Sequence, residues 1–236
     1  MALEQKSTVL GNAAVRADAA RGSDGVVSQL VGGDRTAFER LMRGNNQRLF
    51  RVARAIVLDD AEAEDAVQAA YLAAFLGLER FEGRSSLSTW LTSIVLREAF
   101  ARRRALVRAG RLSNIEEVGD ELADARESPE DAASLQQLTR LTERAIDGLP
   151  PVYRVVLVLR QVQGLSGPET AASLGVSEEV VRVRLHRARN MLRDVLPELE
   201  LDASGVKPYG FDGERCTRIV ERVLAAALPP EARVLS

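Results

Sequence analysis

The densest cluster of groups able to do chemistry in this chain is a run of arginines, Arg182, Arg184, Arg187, Arg189 and Arg193, with His186 among them. Val181, Leu185, Ala188 and Leu192 fall between them at i, i+4, i+7 and i+11, the spacing of one side of an α-helix. A helix with an apolar seam and guanidinium groups around the rest offers bidentate donors to guanine edges and positive charge to phosphates. A second cluster, Arg102, Arg103 and Arg104, ends another apolar-periodic stretch and suits phosphate contacts, the alternative being a solvated helix end near its favourable dipole. His186, alone among arginines, is ill placed for catalysis or metal binding. A polar or stacking contact to DNA is its functional reading and a solvated imidazole its plain one.

Upstream of the arginine run lies Gly164-Leu165-Ser166-Gly167-Pro168-Glu169-Thr170-Ala171-Ala172-Ser173-Leu174-Gly175-Val176-Ser177. Ser166 with Glu169 three residues on forms a capping box, Pro168 sits harmlessly in the first turn, and Gly175 stops the helix after about two turns. Ser177 then caps the next helix. A short helix, a tight turn and an arginine-lined helix make a helix-turn-helix suited to the major groove. On spacing and charge alone, an amphipathic helix pair with a solvated basic face remains the competing reading.

Composition limits what else the chain does. One histidine and one cysteine, Cys216, leave no disulfide framework, Cys/His zinc site or His-based triad. No Gly-x-Gly-x-x-Gly or Gly-Lys-Ser/Thr loop is present. No carboxylate pair or nucleophile with a base stands out, so no enzyme and no cofactor or metal is expected. No apolar run reaches the roughly 18 to 20 residues of a membrane span, and the lone thiol fits a reducing cytoplasm, so no membrane insertion and a cytoplasmic location are expected. The 236 residues are 46% hydrophobic but only 4% aromatic, and the apolar residues fall at helical spacing, which predicts an all-α fold.

The net charge of −2 hides strong segregation. Residues 35–111 carry 14 basic and 9 acidic groups, 112–149 carry 3 and 10, and 150–196 carry 7 and 4. Two basic helical blocks therefore flank an acidic stretch. Asp34, Asp59 and Ser86 are the N-caps expected for three helices in the first block. The reading is two small helical domains, residues 24–110 and 135–196, with a flexible segment 1–23 before them. A flexible acidic linker 111–134 joins them, and an extension 197–236 with one short helix follows.

Together the blocks resemble the extracytoplasmic-function (ECF) sigma factors of the bacterial sigma-70 family. The resemblance rests on Asp65-Ala66-Val67-Gln68-Ala69-Ala70-Tyr71 with Phe75, and on Phe81-Glu82-Gly83-Arg84-Ser85-Ser86-Leu87-Ser88-Thr89-Trp90-Leu91. It continues through Leu149-Pro150-Pro151 with Tyr153-Arg154 and Gly164-Leu165-Ser166, and closes with Val181-Arg182-Val183-Arg184-Leu185-His186-Arg187-Ala188-Arg189. It covers about residues 24 to 196 in the family's order.

The resemblance implies a sigma-2 type domain that docks on the clamp of core RNA polymerase and opens the −10 element. It also implies a sigma-4 type helix-turn-helix domain that holds the polymerase flap and reads the −35 element of promoter DNA. By position, Asp65, Gln68 and Tyr71 lie on the clamp-facing helix, with core packing an equal alternative for Tyr71. Phe81, Gly83, Arg84 and Ser85 match the loop that receives a flipped −10 base. Arg97, Arg102, Arg103 and Arg104 follow on the same −10 side, whereas Trp90 reads better as core. Arg182, Val183, Arg184, His186, Arg187 and Arg189 fall on the −35 helix.

Three positions depart from the family's pattern. Arg97 stands where Asn is frequent, and Val180 and Val183 stand where Thr or Ser is, so Val183 would meet a thymine methyl instead of hydrogen-bonding. An anti-sigma protein is a further partner that the resemblance leaves open. Two other functions compete: a sigma-like decoy that binds an anti-sigma factor without touching DNA, and a plain helix-turn-helix repressor. The retained arginines disfavour the decoy, and a first block that looks like a monomeric basic bundle disfavours the repressor.

Overall fold

The computed structural model describes residues 27–112, 135–196 and 206–227. The expected segment 1–23, residues 113–134 of the expected linker 111–134, and the ends of the extension at 197–205 and 228–236 lie outside the described residues. Among the described residues every regular element is helical: α1 (Arg35–Val57), α2 (Asp60–Gly77), α3 (Leu87–Arg108), α4 (Leu135–Asp147), α5 (Pro151–Leu157), α6 (Gly167–Leu174), α7 (Glu178–Val195) and α8 (Gly213–Ala227).

Local chemistry sets the helix ends. The Asp34 carboxylate accepts from the Thr36 and Ala37 amides at 2.8 and 3.0 Å, and Leu58 in a left-handed conformation (φ 62°) stops α1. Asp59 accepts from Glu62 N at 2.9 Å, and the Ser86 hydroxyl from Thr89 N at 3.1 Å. Pro151 occupies the first turn of α5, where its missing N–H costs nothing. That helix runs on into a wide π turn over Val158–Val162.

Helices α1 to α3 pack on one another around Phe38, Met42, Leu49, Ile56, Val67, Leu91 and Val95. Small residues on α2, Ala63, Ala66, Ala70 and Ala74, are buried and let its neighbours approach closely. Tyr71 belongs to this core. It is fully buried, its ring centroid lies 6.4 Å from that of Phe38, and its hydroxyl donates to the Met42 carbonyl at 3.2 Å. Of the two alternatives for Tyr71, a partner-facing and a core position, it takes the core one, which corrects its place among the clamp-facing residues, because the apolar stripe of α2 carries it inward.

Arg103 is corrected for the same reason. It is the inward member of the Arg102–Arg104 run, buried and donating to the Ile56 carbonyl at 3.3 Å, so it is not a surface phosphate contact. Three consecutive helical positions span roughly 200° of the helix, and here the middle one falls on the side that faces α1.

The second unit, α4 to α7, has its own apolar centre in Ile146, Val156, Leu157 and Leu159 with the Val181, Leu185, Ala188 and Leu192 seam of α7. These helices also meet α1 and α3 directly. Helix α5 packs on α1, and α6 packs on α3. At the centre of this contact Arg154, 1% exposed, donates to the Ala55 carbonyl of α1 and to the Asp147 carbonyl of its own unit. Burial lowers this guanidinium to about 10, so it stays cationic at neutral pH.

The C-terminal extension joins both units as well. Phe211 meets Phe50 at 5.4 Å between ring centroids, and α8 lies on α1 and α2 with Ile219, Val220, Val223 and Leu224 buried.

Two measurements check this packing. Arg154→Ala strands two buried carbonyls and should lower the urea-derived unfolding free energy by about 3 kcal/mol, and Arg154→Lys should not restore it, since an ammonium lacks the guanidinium fork. Tyr71→Phe should cost about 1 kcal/mol in the same assay, the loss of one buried neutral hydrogen bond; a surface tyrosine would cost nothing.

Candidate nucleic-acid interface

The arginine-lined helix is α7, and it is held in a helix-turn-helix whose every joint is capped. The Ser166 hydroxyl accepts from Glu169 N at 3.3 Å while the Glu169 carboxylate accepts from Ser166 N at 2.8 Å. Gly175 takes the left-handed conformation (φ 66°) that ends α6, and Ser177 then accepts from Val180 N at 3.3 Å. Val181, Leu185, Ala188 and Leu192 are buried, as their spacing requires, so the opposite side of α7 faces solvent.

On that side Arg182, Val183, His186, Arg187 and Arg189 are exposed and Arg184 is half-buried. Arg182 pairs with Glu179 at 3.6 Å, an exposed pair worth little. Its guanidinium is free to exchange that carboxylate for a stronger anionic partner. Arg187 is held differently: its Nη1 donates at 3.1 Å to the hydroxyl of Tyr153, which α5 fixes in the core. His186 Nε2 lies 3.2 Å from the Asn190 amide nitrogen. Val183 exposes 44% of its surface and so presents an apolar side chain among the arginines on the outer side of α7.

The second candidate region lies at the start of α3. Glu82, Gly83, Arg84, Ser85 and Ser86 form an exposed loop, with Gly83 at φ 67° and Arg84 paired to Glu82. Phe81 anchors the loop: its ring lies 5.3 Å from that of Trp90 at 59°, so one aromatic is pinned against the bundle beside an open turn. Trp90 itself is half-buried and packs on the core, as expected.

Arg97 and Arg104 are exposed, Arg97 with Glu98 3.6 Å away. Arg102 is half-buried and forks between Glu62 and Asp65, with the Asp65 contact at 2.5 Å. Asp65 and Arg102, expected to serve different partners, are therefore one ion pair between α2 and α3. Arg111 joins them through Glu62 at 3.1 Å. Gln68 is half-buried one turn along, and its amide nitrogen is buried without a hydrogen-bond partner.

Sequence reasoning assigned no role to Tyr153, Arg154, Glu64 or Tyr209. The first two lie inside a motif quoted above, so a position-by-position reading had them in hand. Glu64 and Tyr209 gain their meaning only through contacts 151 or more and 62 or more residues distant, respectively, in the chain.

Among the described residues no group of His, Cys, Asp and Glu is arranged to hold a metal ion, and no helix is long and apolar enough to cross a membrane.

Comparison with known proteins agrees with this layout. The sequence pattern of Sigma-70 region 2 matches residues 41–109, and that of Sigma-70, region 4 matches residues 139–192. The chain is 35% identical over 166 residues to the ECF RNA polymerase sigma factor SigM of Mycobacterium tuberculosis, covering 70% of this chain and 80% of that one. It is 34% identical over 185 residues to the RNA polymerase sigma-E factor of Streptomyces coelicolor, covering 78% and 98%. Among solved structures, CnrH in complex with the cytosolic domain of CnrY aligns with a TM-score of 0.53 at 26% identity, over 74% of this chain and 97% of that one. The region 2 match spans the bundle with the Phe81 loop, and the region 4 match spans the helix-turn-helix with its arginine face. The chain belongs to the ECF sigma factors of the sigma-70 family.

Proposed function

We propose that this sigma factor directs core RNA polymerase to its promoters by placing α7 in the major groove of the −35 element and the Phe81–Ser85 loop on the −10 strand. The observation that carries the reading is the capped helix-turn-helix with Arg182, Val183, His186, Arg187 and Arg189 exposed on one helix. Arg182 and Arg187 are assigned to bases, with Tyr153 steering Arg187, and Arg184 and Arg189 to phosphates. Val183 and His186 supply apolar and polar contacts at the same face.

At the −10 element, Phe81 and Gly83 receive the extruded base. Arg84, Ser85, Arg97 and Arg104 hold the backbone around it, and Arg102 joins them once it leaves its carboxylates. Asp65 and Gln68, one turn apart on α2, are assigned to the polymerase clamp.

The functional division follows residues 24–110 and 135–196. The promoter and polymerase partners put the protein in the cytoplasm. The aligned CnrH structure is a complex with the cytosolic domain of a second protein, CnrY, and a protein partner of that kind, such as an anti-sigma protein, is accordingly a candidate regulator here. The decoy reading finds no support in an α7 that keeps its arginines exposed.

The test is run-off transcription with purified core polymerase and a promoter library, which should yield a defined pair of elements. Arg182→Ala with Arg187→Ala should cost about 1 to 3 kcal/mol for each lost bidentate guanine contact and relax discrimination at the matching −35 bases. Arg189→Ala should instead weaken all sequences alike and flatten the salt dependence. Affinity for core polymerase should survive all three substitutions. A double variant with unchanged promoter binding and salt slope would remove α7 from the DNA interface.

A further inference from the structure

We propose that the face of α1 and α2 carrying Phe50, Asp60 and Glu64 is a docking surface for an arginine-bearing amphipathic helix, and that the chain's own segment 206–227 occupies it, clasping the two DNA-reading units in a closed form. The inference rests on the two-element promoter reading above.

The segment is built to dock. Arg215 stacks on the Phe50 ring at 4.3 Å and donates to Glu64 at 2.9 Å, Asp60 at 2.8 Å and the Gly210 carbonyl at 2.8 Å. One turn on, Arg218 donates to the same Glu64 carboxylate at 2.9 Å. Burial alone would raise the Glu64 carboxyl, but the two arginines hold it below its ordinary value, so it is ionised at neutral pH. Below this polar edge Ile219, Val220, Val223 and Leu224 are buried on the bundle.

The same segment reaches the other unit. The Tyr209 amide donates to the Glu143 carboxylate of α4, and its hydroxyl donates to Asp147 at 2.7 Å. Its carbonyl accepts from Arg51 of α1 at 3.3 Å, and Arg54 lies 5.1 Å over its ring while pairing with Asp147 at 3.1 Å and Asp60 at 2.8 Å. Tyr209 is buried with φ at 60°, a conformation that a tyrosine keeps only where its surroundings over-determine it. One residue thus ties α1 to α4.

A structural accessory would have no bearing on DNA, but this clasp does. Elements at −10 and −35 lie about 25 base pairs, or about 85 Å, apart at 3.4 Å per pair. A compact chain of this length has a radius of gyration of about 17 Å and hence a diameter of about 45 Å. The closed form therefore cannot touch both elements, and the contact between units must open on the promoter. Segment 206–227 lies outside both matched regions, 41–109 and 139–192, so the parts assigned to DNA do not need it to be complete. Its grip is a carboxylate–arginine cluster with a small apolar patch, a contact that a competing surface can displace. Polymerase docking at Asp65 and Gln68 would act on the same helix α2.

The experiment uses the full chain. Arg215→Glu with Arg218→Glu should loosen the clasp, raising the radius of gyration in X-ray scattering and tightening core-polymerase-dependent binding of promoter DNA by about 5- to 150-fold, the usual range of coupling between two sites. Adding Glu64→Arg to that variant restores opposite charges and should return both quantities toward those of the unaltered chain. A synthetic peptide of residues 206–227 should compact the double variant and weaken its promoter binding. If the double variant keeps its helicity, its radius of gyration and its promoter affinity, the clasp is overturned. If it gains affinity but Glu64→Arg and the peptide both fail to reverse the gain, Glu64 is not the docking site and the proposal also falls. An unaltered chain that directs no transcription with core polymerase under any condition would instead overturn the promoter reading itself.

Discussion

A single buried guanidinium organises this molecule. Arg154 sits where α5 meets α1, donating to one carbonyl in each unit, and nothing apolar can replace it without stranding both. Desolvating a cation is expensive, and the cost is tolerable here because the guanidinium donates to two backbone carbonyls and the Asp147 carboxylate lies close by. Around it Arg54, Asp147 and Tyr209 form a polar cluster in which α1, α4 and the C-terminal extension all take part. The two units are therefore joined by directional contacts that fix one relative orientation, a property that apolar packing alone supplies less sharply.

The arginines divide into two populations with different physics. Arg51, Arg54, Arg103, Arg154 and Arg215 are drawn into the fold, each satisfying a backbone carbonyl or a carboxylate. Arg97, Arg104, Arg182, Arg187 and Arg189 stay exposed on the two faces assigned to DNA. Guanidinium serves both uses because it is weakly hydrated and planar, so it is cheaper to bury than an ammonium and still forks onto phosphates and guanines. Such a chain presents exposed cations while carrying a net charge of only −2, since many of its acidic groups face the buried set or fall in the stretch between the units.

The sequence by itself determined the elements and the exposed faces. Asp34, Asp59, Ser86, Ser166 and Ser177 each cap the helix expected of them, because an N-cap is a contact with the next two or three residues and needs no distant partner. The seam Val181, Leu185, Ala188 and Leu192 is buried for a similar reason: helical periodicity alone puts these four residues on one side and leaves Arg182 and Arg187 on the other. Only the tertiary structure decided which of three adjacent arginines turns inward, that Tyr71 is core, and that Asp65 spends its charge on Arg102. Only it decided that residues 206–227 fold back onto α1 and α2. Those outcomes depend on Glu64 meeting Arg215 across more than 150 positions and on Arg154 meeting Ala55 across 99, and long-range pairings of that kind leave no period in the chain to be read.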